Sequence, residues 1–213
     1  MSEDDTKSRI LTAALAAFTE HGYEAATIAD IRQRSGISTG SIYHHYGSKE
    51  AVAAALYLRG IRQYQCGFTQ ALLCARDAEA SVRQAVRFHL DWVADNPHWA
   101  RFVLGHGRAE WLRPQAEALA EHNRRFRDAV ESWHAEGVAS GEIMETPTEV
   151  LLSLLIGAPQ FLVRAWVSGR TADLPRQHAG ALADAAWQAL QPAAAKTPAK
   201  RVTRRRSRQR ASA

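Results

Sequence analysis

Cysteine is scarce in this chain, with only Cys66 and Cys74 among 213 residues. The two lie on a stretch that we predict to be helical, where their spacing corresponds to about 12 Å of rise, so no disulfide can join them. Such sparing use of cysteine is typical of proteins in a reducing cytoplasm, where we expect this protein to act. The N-terminal residues MSEDDTK are acidic and lack the apolar core of a secretory signal.

Long apolar runs are also missing. The longest, residues 150–163, is interrupted by Ser153, Pro159 and Gln160, and we expect it to be too short to cross a bilayer. No serine elbow, phosphate-binding loop, paired carboxylates, Cys-x-x-Cys or His-Glu-x-x-His occurs. We therefore expect no enzymatic activity, no cofactor and no bound metal, and the hydrophobic share of 46% predicts a folded, soluble protein.

Positive charge is concentrated at one end of the chain. Residues 192–213 carry eight lysines and arginines and no acidic residue, so the other residues sum to −3 although the whole chain is +5. We expect this tail to be disordered, and to be either a solvated appendage or an arm that tethers the protein to DNA without sequence preference. Residues 1–50 hold five basic and seven acidic residues, and so lack the basic balance usual in a nucleic-acid-binding domain.

Glycine and proline divide most of the chain into helices, and no alternating apolar pattern long enough for a sheet occurs. One long helix runs from Ser48 towards Cys74, and the next, over residues 80–94, is apolar around most of its girth and should be central. Residues 146–149 (TPTE) are typical of a capping box that opens a further helix, which Pro159 should kink. We predict an all-α protein of about nine helices, with a small N-terminal domain and a larger C-terminal bundle.

The stretch over residues 27–50 holds three helix starts and one tight turn. Thr27 is placed to cap a short helix, and Gly36 suits the left-handed residue that ends it. Ser38 then caps a second short helix and Ser48 a third. Two short helices joined by a glycine-containing turn predict a helix-turn-helix, whose second helix enters the major groove of DNA. The exposed face of that helix offers hydroxyls and hydrogen-bonding rings, on Ser38, Thr39, Ser41, Tyr43 and His44.

An N-terminal amphipathic helix followed by HGYEAATIADI and SGISTGSIYHHYGSKEAV resembles the DNA-binding domain of the TetR family of bacterial transcriptional regulators. The resemblance covers residues 1–50, which we take as the DNA-binding domain. It implies that residues 51–191 bind a small effector and form a symmetric dimer, which would bind double-stranded DNA at a pseudo-palindromic operator. The basic tail, residues 192–213, follows, and we expect no association with a membrane.

The resemblance also assigns roles within the first domain. Thr27 and Lys49 would hold phosphates at helix N-termini, where the helix dipole favours anions. The exchange Lys49→Ala would then lower the salt slope of DNA binding by about one unit. Gly40 would let the backbone approach the duplex, while Tyr43 and His44 would reach phosphate or base.

Aromatic side chains are concentrated in the middle of the second domain. Any one of them is as well explained by ordinary core packing, but together they favour an apolar, aromatic-lined pocket for a flat hydrophobic effector. His89, Arg87 or Asn123 would supply its few polar groups. The predicted lining residues are Phe88, Trp92, Trp99, Phe102, Trp111, Phe126 and Trp133.

The last two helices are apolar and rich in small residues, which predicts close approach to another helix, either within the core or across a dimer. The resemblance favours a dimer contact through Leu151, Leu155, Ala158, Leu162, Leu182 and Ala186. The chain is therefore predicted to be a homodimeric, ligand-responsive transcriptional regulator, and we favour a repressor over an activator. A ligand-independent or architectural DNA-binding protein is the alternative, and an enzyme is the third class.

Overall fold

The computed structural model describes residues 2–107 and 109–192, apart from the side chains at 104 and 105. Within these ranges the chain forms nine α-helices and no strand, which confirms the all-α prediction. The basic tail lies outside the described residues from position 193 onwards. The helices are α1 (Glu3–Ala25), α2 (Ile28–Ser35), α3 (Thr39–Tyr46), α4 (Lys49–Leu73), α5 (Ala78–Asp95), α6 (Pro97–His106), α7 (Ala116–Ser140), α8 (Thr148–Val167) and α9 (Ala179–Leu190), with short 3-10 turns at Glu110–Gln115 and Pro175–His178.

The first three helices and the start of α4 share one core. Ile10, Ile31, Ile42 and Val52, one from each helix, are fully buried there. Phe102 of α6 also packs into this cluster, so the second domain supplies part of the first domain's support. Because this contact is apolar and buried, the two parts of the chain meet through a packed junction along α4.

The C-terminal bundle is built around α5, which is central as its apolar girth predicts. Val82, Val86 and Leu90 are fully buried, and α4, α8 and α9 pack around the helix. Two ion pairs at the surface, Arg83 with Asp184 and Arg176 with Asp95, join α5 to the C-terminal end of the chain.

Helix α8 begins differently from the prediction, and a change of helix type precedes Pro159. The expected capping box at its start is wrong, because the Thr146 hydroxyl donates to the Met144 carbonyl and Pro147 occupies the cap position without a side-chain hydrogen bond. Pro159 does not break the helix. Since it lacks an N–H and its ring would clash with the carbonyl four residues earlier, the helix widens over Ser153–Gly157 into one π turn.

The continuous helix Thr148–Val167 is 20 residues long with a mean hydropathy of 1.7, so by length and composition alone it could cross a membrane, contrary to the expectation from sequence. Only 22% of its most apolar window is buried in the protomer. Leu151 and Leu155 are fully buried against the bundle, whereas the Phe161 side chain is 70% exposed. One apolar side of α8 is therefore left open.

Candidate nucleic-acid interface and ligand cavity

The helix-turn-helix forms as its local sequence predicts. Asp30 and Thr27 make a reciprocal capping box, in which the Asp30 N–H donates to Thr27 Oγ1 (3.2 Å) and the Thr27 N–H donates to Asp30 Oδ2 (2.8 Å). Gly36, with φ of 67°, ends α2 in the left-handed region that favours glycine. The Ser38 hydroxyl then accepts from the Ser41 N–H at 3.2 Å and starts α3.

Helix α3 is polar on one face and anchored on the other. Ile42 is fully buried, and the Tyr46 hydroxyl donates to the Lys7 carbonyl at 3.4 Å. On the opposite side Ser38, Thr39, Gly40, Tyr43 and His44 are exposed, and Ser41 is partly so. We call these six residues the reading face. Within the described part of the chain, its hydroxyl and ring groups make no hydrogen bond to another helix.

Thr27 and Lys49 are already engaged within the protein. The Thr27 hydroxyl donates to Asp30 Oδ2 at 2.8 Å. The Lys49 ammonium donates to the carbonyls of Tyr23, Glu24 and Ala26 at 3.0–3.1 Å, and lies 4.6 Å from the centre of the Tyr23 ring. All three N–H donors of Lys49 thus close the C-terminal end of α1, a role that the family resemblance does not indicate.

Exchange of Lys49 for alanine should therefore lower stability more than it alters DNA contacts. Loss of three hydrogen bonds from a partly buried ammonium is expected to reduce the free energy of unfolding by about 1–2 kcal/mol, measured by urea denaturation. Lys7→Ala is the control, since Lys7 makes one exposed ion pair with Glu3, and should leave the denaturation midpoint unchanged. A salt slope that falls by about one unit, with unaltered stability, would instead place Lys49 on a phosphate.

The electrostatics near the reading face are mixed. Glu3 pairs with Lys7 at 2.6 Å, and its pKa is lowered first by that lysine and further by the nearby His45 and His44. The acidic residues 3–5 form the first turn of α1, where the helix dipole stabilises them. Arg34 is paired with Glu20 at 2.6 Å. Two cations of the N-terminal domain, Lys7 and Arg34, are thus already paired with carboxylates of the same chain.

A partly open cavity of about 170 Å³ lies between α4, α5, α6 and α8. Nearly all of the surface that faces it is carbon, and no charged side chain lines it. Its lining residues are Ile61, Tyr64, His89, Trp92, Val93, Ala100, Val103, Ile156 and Gln160. The second domain therefore holds a small apolar cavity beside α4, the long helix that follows α3.

Only Trp92 of the seven predicted aromatic residues lines this cavity. Phe88, Phe126 and Trp133 pack against the C-terminal core instead, and Phe102, Trp99 and Trp111 against the N-terminal core. Neither Arg87 nor Asn123 lines the cavity either, whereas His89 does. The physical reason is that large rings fill the junctions between helices, and helical spacing does not distinguish a ring facing a neighbour from one facing a void.

The polar centre of the cavity is a buried pair. The Tyr64 hydroxyl and His89 Nδ1 are 2.7 Å apart, and burial lowers the pKa of His89 to about 4, so its ring is neutral. His89 Nε2 is also buried and has no hydrogen-bond partner. Tyr64 and Gln160 were not predicted; the one available signal was a lone glutamine after Pro159 in an apolar helix.

The predicted dimer residues divide into two groups. Leu151, Leu155 and Ala186 are at most 2% exposed inside the protomer, so they cannot meet a partner, and this part of the prediction is wrong. Ala158 is exposed, while Leu162 and Leu182 are partly buried. On α8, Val150, Gly157, Ala158 and Phe161 are exposed, and Leu154, at the same helical spacing, is partly buried; we call these five residues the open face of α8.

No group of three or more histidine, cysteine, aspartate or glutamate side chains placed to hold a metal ion occurs within residues 2–107 and 109–192. Cys66 and Cys74 are free and exposed.

Residues 10–56 match the family model described as bacterial regulatory proteins, tetR family. The chain is 28% identical over 104 residues to the transcriptional activator FasR of Mycolicibacterium smegmatis, an alignment that covers 49% of this chain and 48% of FasR. It is 42% identical over 52 residues to the transcriptional repressor AcnR of Corynebacterium efficiens, which covers 24% of this chain and 28% of AcnR. The matches thus span about half or less of these curated relatives.

Among solved structures, the transcriptional regulator FadR from Bacillus subtilis, in complex with stearoyl-CoA, has a TM-score of 0.72 to this chain at 18% identity. The match covers 84% of this chain and 96% of FadR, so nearly the whole of the described fold is shared.

Proposed function

Given that this chain belongs to the TetR family of bacterial regulatory proteins, we propose that it is a homodimeric transcriptional regulator whose DNA binding responds to a small molecule. The observation that carries the proposal is the reading face itself. Ile42 is fully buried on one side of α3, while Thr39, Tyr43 and His44 on the other side are exposed to solvent. Many surface helices have such a polar face. The position of α3 as the second helix of a helix-turn-helix supports the proposal, because this is the helix that enters the major groove.

Within the reading face, the first turn of α3 is suited to phosphates and the second to bases. Ser38 and Thr39 surround the helix N-terminus, where N–H groups and the helix dipole attract anions. Tyr43, 48% exposed, and His44 extend from the next turn and would contact base edges. Thr27 and Lys49 hold α2 and α1 in position behind this face, which makes them supports of the interface.

We propose that a second copy of the chain covers the open face of α8. This face is apolar along its length, and Phe161 is too exposed to be a core residue of a monomer. Helix α8 cannot insert into a membrane without disrupting the fold, because Leu151, Leu155 and Val163 on its other side are fully buried in the C-terminal core. Helix pairing between copies buries the apolar face and leaves the core intact.

Response to a small molecule requires that the cavity and the reading face be joined mechanically. Helix α4 provides the link, since Val52 and Leu56 lie in the N-terminal core and Ile61 and Tyr64 line the cavity two turns later. A ligand that fits one pose of α4 better than another shifts the DNA-binding equilibrium by that difference in affinity, typically about 1–3 kcal/mol. We propose that binding of the ligand causes the protein to dissociate from its operator, so that the protein without ligand acts as a repressor.

The test is selection of bound fragments from genomic and random DNA by the full-length protein, followed by sequencing. A regulator of this kind should enrich one pseudo-palindrome whose half-sites lie about 34–36 Å apart along the duplex. Enrichment without symmetry, or equal affinity for random duplex, would point to an architectural DNA-binding protein and contradict the proposal.

A further inference from the structure

The cavity between α4, α5, α6 and α8 has a size, a polarity and one oriented polar group, and together these define a ligand class. Taking this cavity as the effector site, an assumption that rests on the proposed function, we infer that it binds an uncharged molecule of about one aromatic ring with a single hydrogen-bond acceptor, which takes the Nε2–H of His89.

Volume limits the size of the ligand. A cavity of about 150 Å³ lined by apolar side chains accommodates benzene, and this one measures about 170 Å³. The volume is therefore sufficient for a substituted single ring, but not for the long acyl chain of a ligand such as stearoyl-CoA. Trp92 and Tyr64 supply aromatic walls against which a flat ring can pack.

The apolar lining of the cavity excludes a charged ligand. No lysine, arginine, aspartate or glutamate lines the cavity, and an ion buried without a partner pays a large desolvation penalty. His89 cannot provide a positive charge near neutral pH, because burial lowers its pKa to about 4. The ligand is therefore neutral.

The Tyr64–His89 pair fixes which hydrogen-bonding group the cavity offers. If the Tyr64 hydroxyl donates to Nδ1, then Nε2 of the neutral ring carries the proton, and only this one donor is left unpaired. If Nδ1–H donated to Tyr64 instead, both the hydroxyl proton and the Nε2 lone pair would be left buried and unpaired. The first arrangement leaves fewer unpaired groups and is favoured.

The Nε2–H of His89 is therefore a buried hydrogen-bond donor without an acceptor in the protein. His89 is only 3% exposed, and its Nε2 is not accessible to bulk solvent. Gln160 lines the same cavity, and its side-chain hydrogen bonding raises the pKa of His89 against the larger lowering by burial. No contact between Gln160 and Nε2 has the distance and angle of a hydrogen bond, however. We expect the Gln160 side chain to move aside when a carbonyl or ether oxygen enters.

The test is calorimetric titration of the full-length protein, without DNA, with four probes: acetophenone, its oxygen-free analogue ethylbenzene, benzoate and stearoyl-CoA. Acetophenone and ethylbenzene should bind, acetophenone with a Kd below about 1 mM. Benzoate and stearoyl-CoA should not bind. In His89→Leu, acetophenone should bind about 3- to 10-fold more weakly while ethylbenzene is unaffected.

Because His89→Leu leaves the Tyr64 hydroxyl unpaired, the double variant Tyr64→Phe/His89→Leu is measured beside it. It removes both members of the pair and should show the same selective loss for acetophenone. Nitrogen NMR of the native protein provides an independent readout and should show Nδ1 of His89 unprotonated and Nε2 protonated.

An unchanged ratio of acetophenone to ethylbenzene affinity in both variants, a protonated Nδ1, or no binding of either apolar probe would overturn the inference. Binding of benzoate or stearoyl-CoA would also overturn it, while leaving a ligand-responsive regulator intact. Failure of the DNA selection would contradict the proposed function without altering these titrations, so the two failures are distinguishable.

Discussion

Exchanging Phe161 for glutamate is expected to convert a dimer into a monomer and to remove operator binding. Phe161 is 70% exposed in the protomer and lies on the open face of α8. A carboxylate from each copy would be brought into the apolar contact between the helices, where its desolvation costs more than the contact provides. The exposed Arg170, whose guanidinium lies 5.9 Å from the centre of the Phe161 ring, would offset only part of this cost. Light scattering should report 23.5 kDa, the mass of one chain, and twice that value for the unmodified protein.

Loss of the dimer should weaken operator binding by at least about 100-fold, because the second half-site is then bound by an independent molecule. Leu73→Glu is the matched control: Leu73 is 50% exposed at the end of α4, away from α8. That variant should remain a dimer and bind DNA normally. A Phe161→Glu protein that stays dimeric would show that the copies meet elsewhere.

The exchange Gly40→Ala should stabilise the protein and weaken its binding to DNA. Gly40 is the second residue of α3, and a Cβ placed there meets no protein atom within 4 Å. Alanine in a helix is favoured over glycine by up to about 1 kcal/mol, so the thermal midpoint should rise. If the backbone approaches the duplex at Gly40, each added methyl group should cost about 10-fold in affinity, or about 100-fold for a dimer with two copies.

Gly180→Ala is the control for this pair of effects. Gly180 is the second residue of α9, is exposed, and likewise has open space where a Cβ would lie. It should raise the thermal midpoint by a similar amount without any change in DNA affinity. A Gly40→Ala protein with full DNA affinity would mean that this part of α3 does not lie close to the duplex.

The helix-turn-helix could be predicted because its signals are local. Thr27, Ser38 and Ser48 cap helices by accepting hydrogen bonds from the N–H groups three positions later. The left-handed conformation at position 36 favours glycine, which adopts it without strain. Such features need no knowledge of distant contacts. The reading face followed from them, since the side of α3 opposite Ile42 has to face solvent.

The ligand cavity and the dimer contact could not be predicted in the same way. Helical periodicity identifies an apolar stripe, but not whether the stripe faces the protomer core, a cavity or a second copy. Leu151 and Leu155 proved to face the core, and the π turn before Pro159 changed which residues of α8 point inward. Lys49 shows the same limit, because its three carbonyl partners lie more than twenty residues away in sequence.

The most direct test of the account replaces Tyr43 with a photoreactive phenylalanine analogue and maps its cross-links on the selected operator. A dimer that reads the major groove with two copies of α3 should give two clusters of cross-linked bases, related by the symmetry of the site and about 10–10.5 base pairs apart. A single cluster, or cross-links scattered over the duplex, would contradict the claim that the reading face of α3 is presented to DNA in duplicate.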